Sequence, residues 1–332
     1  MPCIKVEKLK ANEAMRSLAA KGLIDNAFSV MHDKTHVYIP VKERIEGYAY
    51  SNKRLKPRKT GPRNLSEALE SQGVKAKNAL SSFDLLGNIA VVELPKGMDA
   101  KKAAKAIMSV HKAVETVYAK QSGMEGKYRV RKFRLIGGKR KSVARYRENG
   151  VAMEFDVKKV FFSPRLSTER KRVAGLVRKN ENVLVLFAGV GPFALCVAKE
   201  RPTAKVIGIE LNAEAVKWFK RNIKLNKLGN VEAVLGDVKK ELAKKAYAGW
   251  ADRIVMPLPK DAEHFLKDAG KASKKGTMMH FYTFVDAKRP LEHAKEKIKA
   301  NLERPFRVVS AKKVRDYSPK TVQVVADIEV LR

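Results

Sequence analysis

Residues 183–198 read VLVLFAGVGPFALCVA. An apolar run, Val183 to Phe187, passes into Ala188-Gly189-Val190-Gly191-Pro192 and then into the apolar stretch Phe193 to Ala198. The first part has the pattern of a strand buried on both faces. The last part reads as a helix that Pro192 can open, because its missing N–H falls in the first turn, where no intrahelical partner exists. Glycines between the two let the backbone approach a ligand, and the helix N-terminus offers unpaired N–H groups to it. Glycines kept for packing alone are the competing reading. The run is broken by Gly and Pro and is too short to cross a bilayer.

Outward from this unit, strand and helix patterns alternate. VIGIE (206–210) is the next strand, and AEAVKWFKRNIKLNKLGN (213–230) is a helix with Val216, Phe219 and Ile223 on one stripe and Gly229 at its end. VEAVLGD, RIVM and GTMMHFYTF supply three further strands, and RVVSAKKV and TVQVVADIEVL a closing antiparallel hairpin turning at Ser318-Pro319. The expectation for 156–332 is an α/β, Rossmann-like, doubly wound sheet whose last strand runs the other way.

Two smaller α/β domains are expected before it. Residues 1–50 contain a helix pattern, AMRSLAAKGLI, with Gly22 near its end, and a strand, HVYIPV. Residues 51–64 read as a solvated, mobile linker, with six basic residues, two prolines and no acid between Lys53 and Arg63. Residues 65–155 read as an α+β segment. SFDLLGNIAVVEL (82–94) gives two strands, and DAKKAAKAIMSVHKAVETVY (99–118) a helix with Ala103, Ile107, Val110, Val114 and Val117 on one stripe and His111 beside it. Between Lys120 and Arg147 there are eleven Lys or Arg and one acid, Glu125. Strand alternation there would put Arg129 and Arg131 on one face and turn Val130 and Phe133 inward, with Tyr128 and Tyr146 placed to stack on bases.

The charge balance points the same way. Lys and Arg number 70 against 35 acids, a net +35 and a pI near 10.1, which calls for a polyanion, and nucleic acid before a membrane surface. The start, MPCIKVEKLKANEAM, has no apolar core of a signal peptide, so a cytoplasmic protein is expected. Cys3 and Cys196 form no CxxC pattern, and His32 and His36 lack a third ligand, so no metal is expected.

Two acids sharpen the chemistry of the glycine loop. Glu210 ends the second strand, 19 residues past Gly191, where a carboxylate can accept ribose hydroxyls. Asp237 ends the third strand and can meet an adenine amino group. Phe187, Gly189, Gly191, Glu210, Leu211, Asp237 and Val238 are therefore the expected cofactor contacts. The loop's third position is Ala194 and no dehydrogenase site is evident. With the proline-bearing loop after the fourth strand, the set favours S-adenosyl-L-methionine over NAD.

VFFSPRLSTERKRV (160–173), LFAGVGPFALCVAK (186–199), NIKLNKLGN (222–230) and MPLPKDA (256–262) together resemble the archaeal and eukaryal tRNA (guanine37-N1)-methyltransferase family. The similarity covers residues 120–332 well and the N-terminal segment loosely. It implies a class I S-adenosylmethionine-dependent methyltransferase domain and a cytoplasmic, monomeric protein. The partner would be tRNA, held at the anticodon stem-loop and touched at the elbow by the first domain. It implies Glu169 as the base that removes the N1 proton and Arg129 as the cation that steadies the guanine. Arg131, Arg165, Phe161, Pro257 and Pro259 would contact tRNA or base, although Arg165 could equally pair with an acid. Leu186 stands where the family usually has Asp, and Pro257 where it usually has Asn, so only backbone carbonyls remain at position 257. Two rival readings stand beside this one. The first is a wyosine-pathway relative moving a methyl or aminocarboxypropyl group at the same nucleotide. The second is a paralogue that binds tRNA without turnover.

Overall fold

The computed structural model describes residues 3–58, 61, 62, 64–74, 80, 83–123 and 126–332, in two compact units, Met1–Gly73 and Val74–Arg332. The first unit contains β1 (Cys3–Glu7), α1 (Ala11–Ala20), β2 (Met31–His32), β3 (His36–Pro40), β4 (Ala49–Ser51) and α2 (Leu65–Glu70). Its sheet runs β2-β3-β1-β4, and the pleat turns Ile4, Val6 and Ile39 onto Leu18 and Ala14 of α1. The expected linker is a correction where it can be seen. Lys56 O accepts Ser29 N–H at 2.9 Å, Ala27 O accepts Arg58 N–H at 2.7 Å, and Leu55 is buried, so residues 53–58 are fastened to this unit. Lys59, Thr60 and Arg63, counted in that linker, lie outside the described residues, as do Glu125 and Ser82.

In the second unit, β5 (Phe83–Leu86), β6 (Ile89–Val92), α3 (Ala100–Val110), β7 (Thr116–Lys120) and β8 (Phe133–Gly138) form a sheet of order β5-β6-β7-β8. The helix expected over 99–118 starts on Asp99, whose carboxylate accepts Lys101 N–H and Lys102 N–H, but it ends at Val110. Thr116-Val117-Tyr118 is β-branched and aromatic, and pairs as β7 instead. Arg129 and Arg131 lie before β8, not within it. Gly126 and Arg129 both take positive φ, +63° and +54°, and that turn replaces the expected alternation.

β9 (Val143–Glu148) and β10 (Val151–Asp156) form a hairpin, followed by α4 (Ser167–Leu176). Next come β11 (Asn182–Leu186), α5 (Pro192–Glu200), β12 (Lys205–Glu210), α6 (Ala213–Leu225), β13 (Val231–Leu235), α7 (Val238–Leu242) and β14 (Ala251–Met256). The chain closes with α8 (Leu266–Ala272), β15 (Ser273–Asp286), α9 (Pro290–Asn301), β16 (Phe306–Ser318) and β17 (Thr321–Val330). The sheet order is β13-β12-β11-β14-β15-β17-β16, parallel through β15, with β17 antiparallel to both of its neighbours. The last strand thus runs the other way, as its sequence pattern predicts. Helix α6 stops at Leu225, short of Gly229, because Lys227 takes the left-handed position at φ +54°. One hydrophobic core joins Leu86, Ile89 and Tyr118 to Val183, Val185 and Phe219, so the segments expected as separate domains share an interior here.

Strand order reverses at β11, which has β12 on one side and β14 on the other. A crevice forms at the carboxyl ends of strands at such a switch point, where connections leave in opposite directions. Among the described residues, no helix is long and apolar enough to cross a membrane.

Candidate active site

The loop after β11 is shaped by three residues at positive φ: Phe187 (+56°), Gly189 (+58°) and Gly191 (+92°). The two glycines do different work. A Cβ on Gly191 would lie 2.2 Å from the Phe219 ring, so this glycine is needed for packing as well as for its φ. A Cβ on Gly189 would meet only the Phe161 carbonyl oxygen, at 3.9 Å, which leaves that backbone open to a ligand. Glu210 braces the loop: Oε2 accepts Gly189 N–H at 2.7 Å and Oε1 accepts Asn212 N–H at 2.8 Å. Each oxygen keeps a lone pair for a ribose hydroxyl. Asn222, fully buried, donates to Val190 O at 3.2 Å and accepts Glu154 N–H at 2.8 Å, tying the loop to β10.

Asp237 caps α7, accepting Lys239 N–H at 3.0 Å, while its other oxygen lies 4.0 Å from Lys127 Nζ. Val238 turns its side chain into the core, so only its backbone can meet a ligand; Leu211 is half-buried between Glu210 and the Asn212 cap. The open Gly189 backbone, with carboxylates at the ends of β12 and β13, fits a nucleoside cofactor such as S-adenosylmethionine.

The loop after β14 is fastened to the neighbouring strand. Pro259 O accepts Phe284 N–H at 2.9 Å, so this carbonyl is committed to β15, and Leu258 packs on the core. Pro257 is half-buried.

A cleft of about 250 Å³ collects the expected catalytic Arg129 and three of the expected substrate residues, Arg131, Arg165 and Phe161, with two that sequence reasoning missed, Arg315 and Tyr317; Pro257 and Pro259 are not in its lining. The Arg129 guanidinium lies 5.9 Å from the Phe161 ring centroid. Burial pulls the Arg129 pKa down, aided by Arg131 and opposed by Asp261 and Tyr317. Arg131 Nε is buried without a hydrogen-bond partner. Arg165 pairs with Asp84 at 2.9 Å. Tyr146 does not offer a stacking face: it packs edge-on to Phe162 and donates to Glu148 at 3.1 Å, whereas Tyr128 is exposed.

Glu169 occupies the first turn of α4 and is 6% exposed. Its partners are Arg172 at 2.9 Å, the Tyr282 hydroxyl at 3.0 Å and Lys312 at 3.1 Å; Arg129 is not among them. Burial opposes its ionisation, but Arg172, Lys312 and Tyr282 outweigh burial and hold the carboxyl below the usual glutamate range. Arg172 reaches on to Asp327 at 2.7 Å, Asp327 to His280 Nδ1 at 2.6 Å, and His280 Nε2 to Arg253 at 2.8 Å. Arginine only donates, so Nε2 is the acceptor and the neutral ring donates from Nδ1. Nothing in the local sequence marks this chain, because Arg172 and Asp327 are 155 residues apart.

Residues 144–309 match the family model described as the TRM5/TYW2 methyltransferase domain, residues 3–49 the tRNA methyltransferase 5 N-terminal domain, and residues 64–141 the TYW2 N-terminal domain. The chain is 35% identical to the tRNA (guanine(37)-N(1))-methyltransferase Trm5b of Pyrococcus abyssi, over 98% of both proteins. Its fold is similar to that of aTrm5 solved in complex with tRNALeu, with a TM-score of 0.79, 26% identity and coverage of 99% and 100% of the two chains. It is also similar to Pyrococcus horikoshii TYW2 in complex with MeSAdo, with a TM-score of 0.65, 26% identity and coverage of 80% and 98%.

Proposed function

The chain belongs to the TRM5/TYW2 methyltransferase family, and we propose that Glu169 and Arg129 carry its reaction on tRNA. The protein is an S-adenosylmethionine-dependent tRNA (guanine37-N1)-methyltransferase. Bound S-adenosylmethionine would supply an electrophilic methyl group for guanine N1. Guanine N1 carries a proton and is a poor nucleophile until that proton departs. Glu169, ionised at neutral pH, accepts it, while Tyr282 and Arg172 fix the carboxylate. Lys312, half-exposed, can swing away from Oε1 to a tRNA phosphate and leave that oxygen for the proton. Arg129 steadies the negative charge that grows on O6, and its burial strengthens that attraction.

Glu210 and the Gly189 backbone would hold the cofactor ribose and Asp237 the adenine edge, with Phe187, Gly191, Leu211 and Val238 as the remaining wall. Arg131, Arg165 and Phe161 receive the flipped nucleotide, with Pro257 and Pro259 as a rigid rim. Residues 1–50 touch the tRNA elbow, residues 65–155 grip the anticodon arm, and residues 156–332 transfer the methyl group. The protein works as a cytoplasmic monomer, without metal. The observation that carries the assignment of the base is the buried, ionised Glu169 beside Tyr282.

The test uses methyl-labelled cofactor and unmodified transcripts bearing guanosine or adenosine at position 37. Label recovered in 1-methylguanosine from the first transcript alone supports the reading. Tight binding without product overturns it in favour of a non-catalytic tRNA binder. Pro257, which has no side-chain amide to read guanine, favours a second reading, transfer to a tricyclic guanosine derivative at that position. Label in that nucleoside, from tRNA carrying it, would support this second reading.

A further inference from the structure

The register of the closing strands sets out two rows on one sheet face. Tyr282, Val325 and Lys312 are paired across β15, β17 and β16; two residues along β15 and β17, and three along β16 past an irregularity at Val314, Phe284, Gln323 and Arg315 form the next row. Residues two apart on a strand share a face and are separated by about 7 Å. Glu169 bonds both Tyr282 and Lys312, so it sits over the first row. The Tyr317 ring lies against Phe284 of the second row, with centroids 4.3 Å apart at 40°. Tyr317 is 54% exposed, which leaves much of its ring uncovered. Phe284 is stitched by its backbone to Pro259. Arg315 donates from Nε to Gln323 Oε1 at 2.8 Å, and both Arg315 and Tyr317 line the cleft that holds Arg129.

We propose that the β16–β17 hairpin supplies the seat of the flipped base: Tyr317, backed by Phe284, stacks on the guanine ring, and Arg315 takes the phosphate beside it. The proposal rests on the functional reading above. A base on the second row points its edge toward Glu169 on the first, a distance that a purine bridges. Arg129 lines the same cleft as this tyrosine. Stacking needs no side-chain amide, which suits a rim made by Pro257 and Pro259. Burial and the nearby Arg165 both disfavour the charge on Arg315, a cost that an anionic phosphate would relieve.

The test compares the full chain with Tyr317→Phe, Tyr317→Ala and Arg315→Ala. Tyr317→Phe should keep kcat/KM within about twofold. Tyr317→Ala should lower it roughly 10- to 100-fold, the worth of one base–aromatic stack, with cofactor affinity and melting temperature unchanged. Arg315→Ala should reduce the slope of log Kd for tRNA against log salt by about one, as one lost phosphate contact does. Fluorescence of 2-aminopurine at position 37 reports the seat without turnover. The wild type and Tyr317→Phe should quench it on binding, and Tyr317→Ala should leave it bright. Equal fluorescence with wild type and Tyr317→Ala overturns the proposal, as does loss of folding and cofactor binding together with activity in Tyr317→Ala. A wild type that quenches through Tyr317 yet makes no 1-methylguanosine would overturn the functional reading and leave the seat standing.

Discussion

On the cofactor side of the crevice, position is fixed by backbone and packing. Gly191 rests on Phe219, Gly189 N–H is held by Glu210, and Asn222 ties Val190 to β10. On the proposed substrate side, Arg129, Arg131, Arg165 and Arg315 crowd one cleft, burial works against the charge of Arg129 and Arg315, and Arg131 Nε has no partner. The first wall is held by packing and by hydrogen bonds to its backbone. The second holds like charges together at a cost that an anion relieves, so its energetics should follow salt and substrate, while those of the first should not.

Arg129→Ala should show the largest effect on this contrast, a fall in turnover of roughly 10² to 10³ with cofactor affinity unchanged, measured by single-turnover methylation. Gly191→Ala should do the reverse. It strains a residue at φ +92° and drives a methyl into Phe219, so it should destabilise the fold by about 1–3 kcal/mol and weaken cofactor binding. Gly189→Ala, with open space, should weaken cofactor binding with less loss of melting temperature.

Acid should act through the buried chain behind Glu169. Burial pushes the His280 pKa down, so the folded state favours the neutral ring, and stability is lost as pH falls through the ordinary histidine range. Burial opposes the ionisation of Asp327, but His280 and Arg172 prevail and hold its pKa at about 2, against 3.8. That contribution, about 2 kcal/mol, is present above pH ~4 and lost as pH falls toward 2. Melting temperature against pH checks both steps, and Asp327→Asn should flatten the lower one. The smallest effect belongs to Lys127→Ala. Its ion pair with Asp237 is exposed and 4.0 Å long, so cofactor affinity should change less than about twofold.

The same contrast explains what the sequence made legible. Val183–Phe187, the glycines and Glu210 are local signals, and they led to the strand, the loop and its brace. Val114 and Val117 continue a helical stripe, so residues 111–118 read as helix, whereas the helix ends at Val110 and β-branching and pairing with β6 make a strand from Thr116. Motif resemblance alone points to Arg129, and its turn conformation follows from a left-handed backbone that periodicity does not encode. Arg315 and Tyr317 sit in a strand whose outward residues look like any solvated edge. Only the folded hairpin brings them to the cleft. The relay from Arg172 to Arg253 is a tertiary fact, made by side chains on four separate elements.

The most direct test of the account is single-turnover methylation by Glu169→Gln beside its Kd for cofactor and for tRNA. Glutamine keeps the shape and the hydrogen bond to Tyr282 but cannot take the N1 proton. The rate should fall about 100-fold or more, with both dissociation constants within about threefold of wild type. An unchanged rate, or a rate lost only in step with binding, would contradict the assignment of Glu169 as the base.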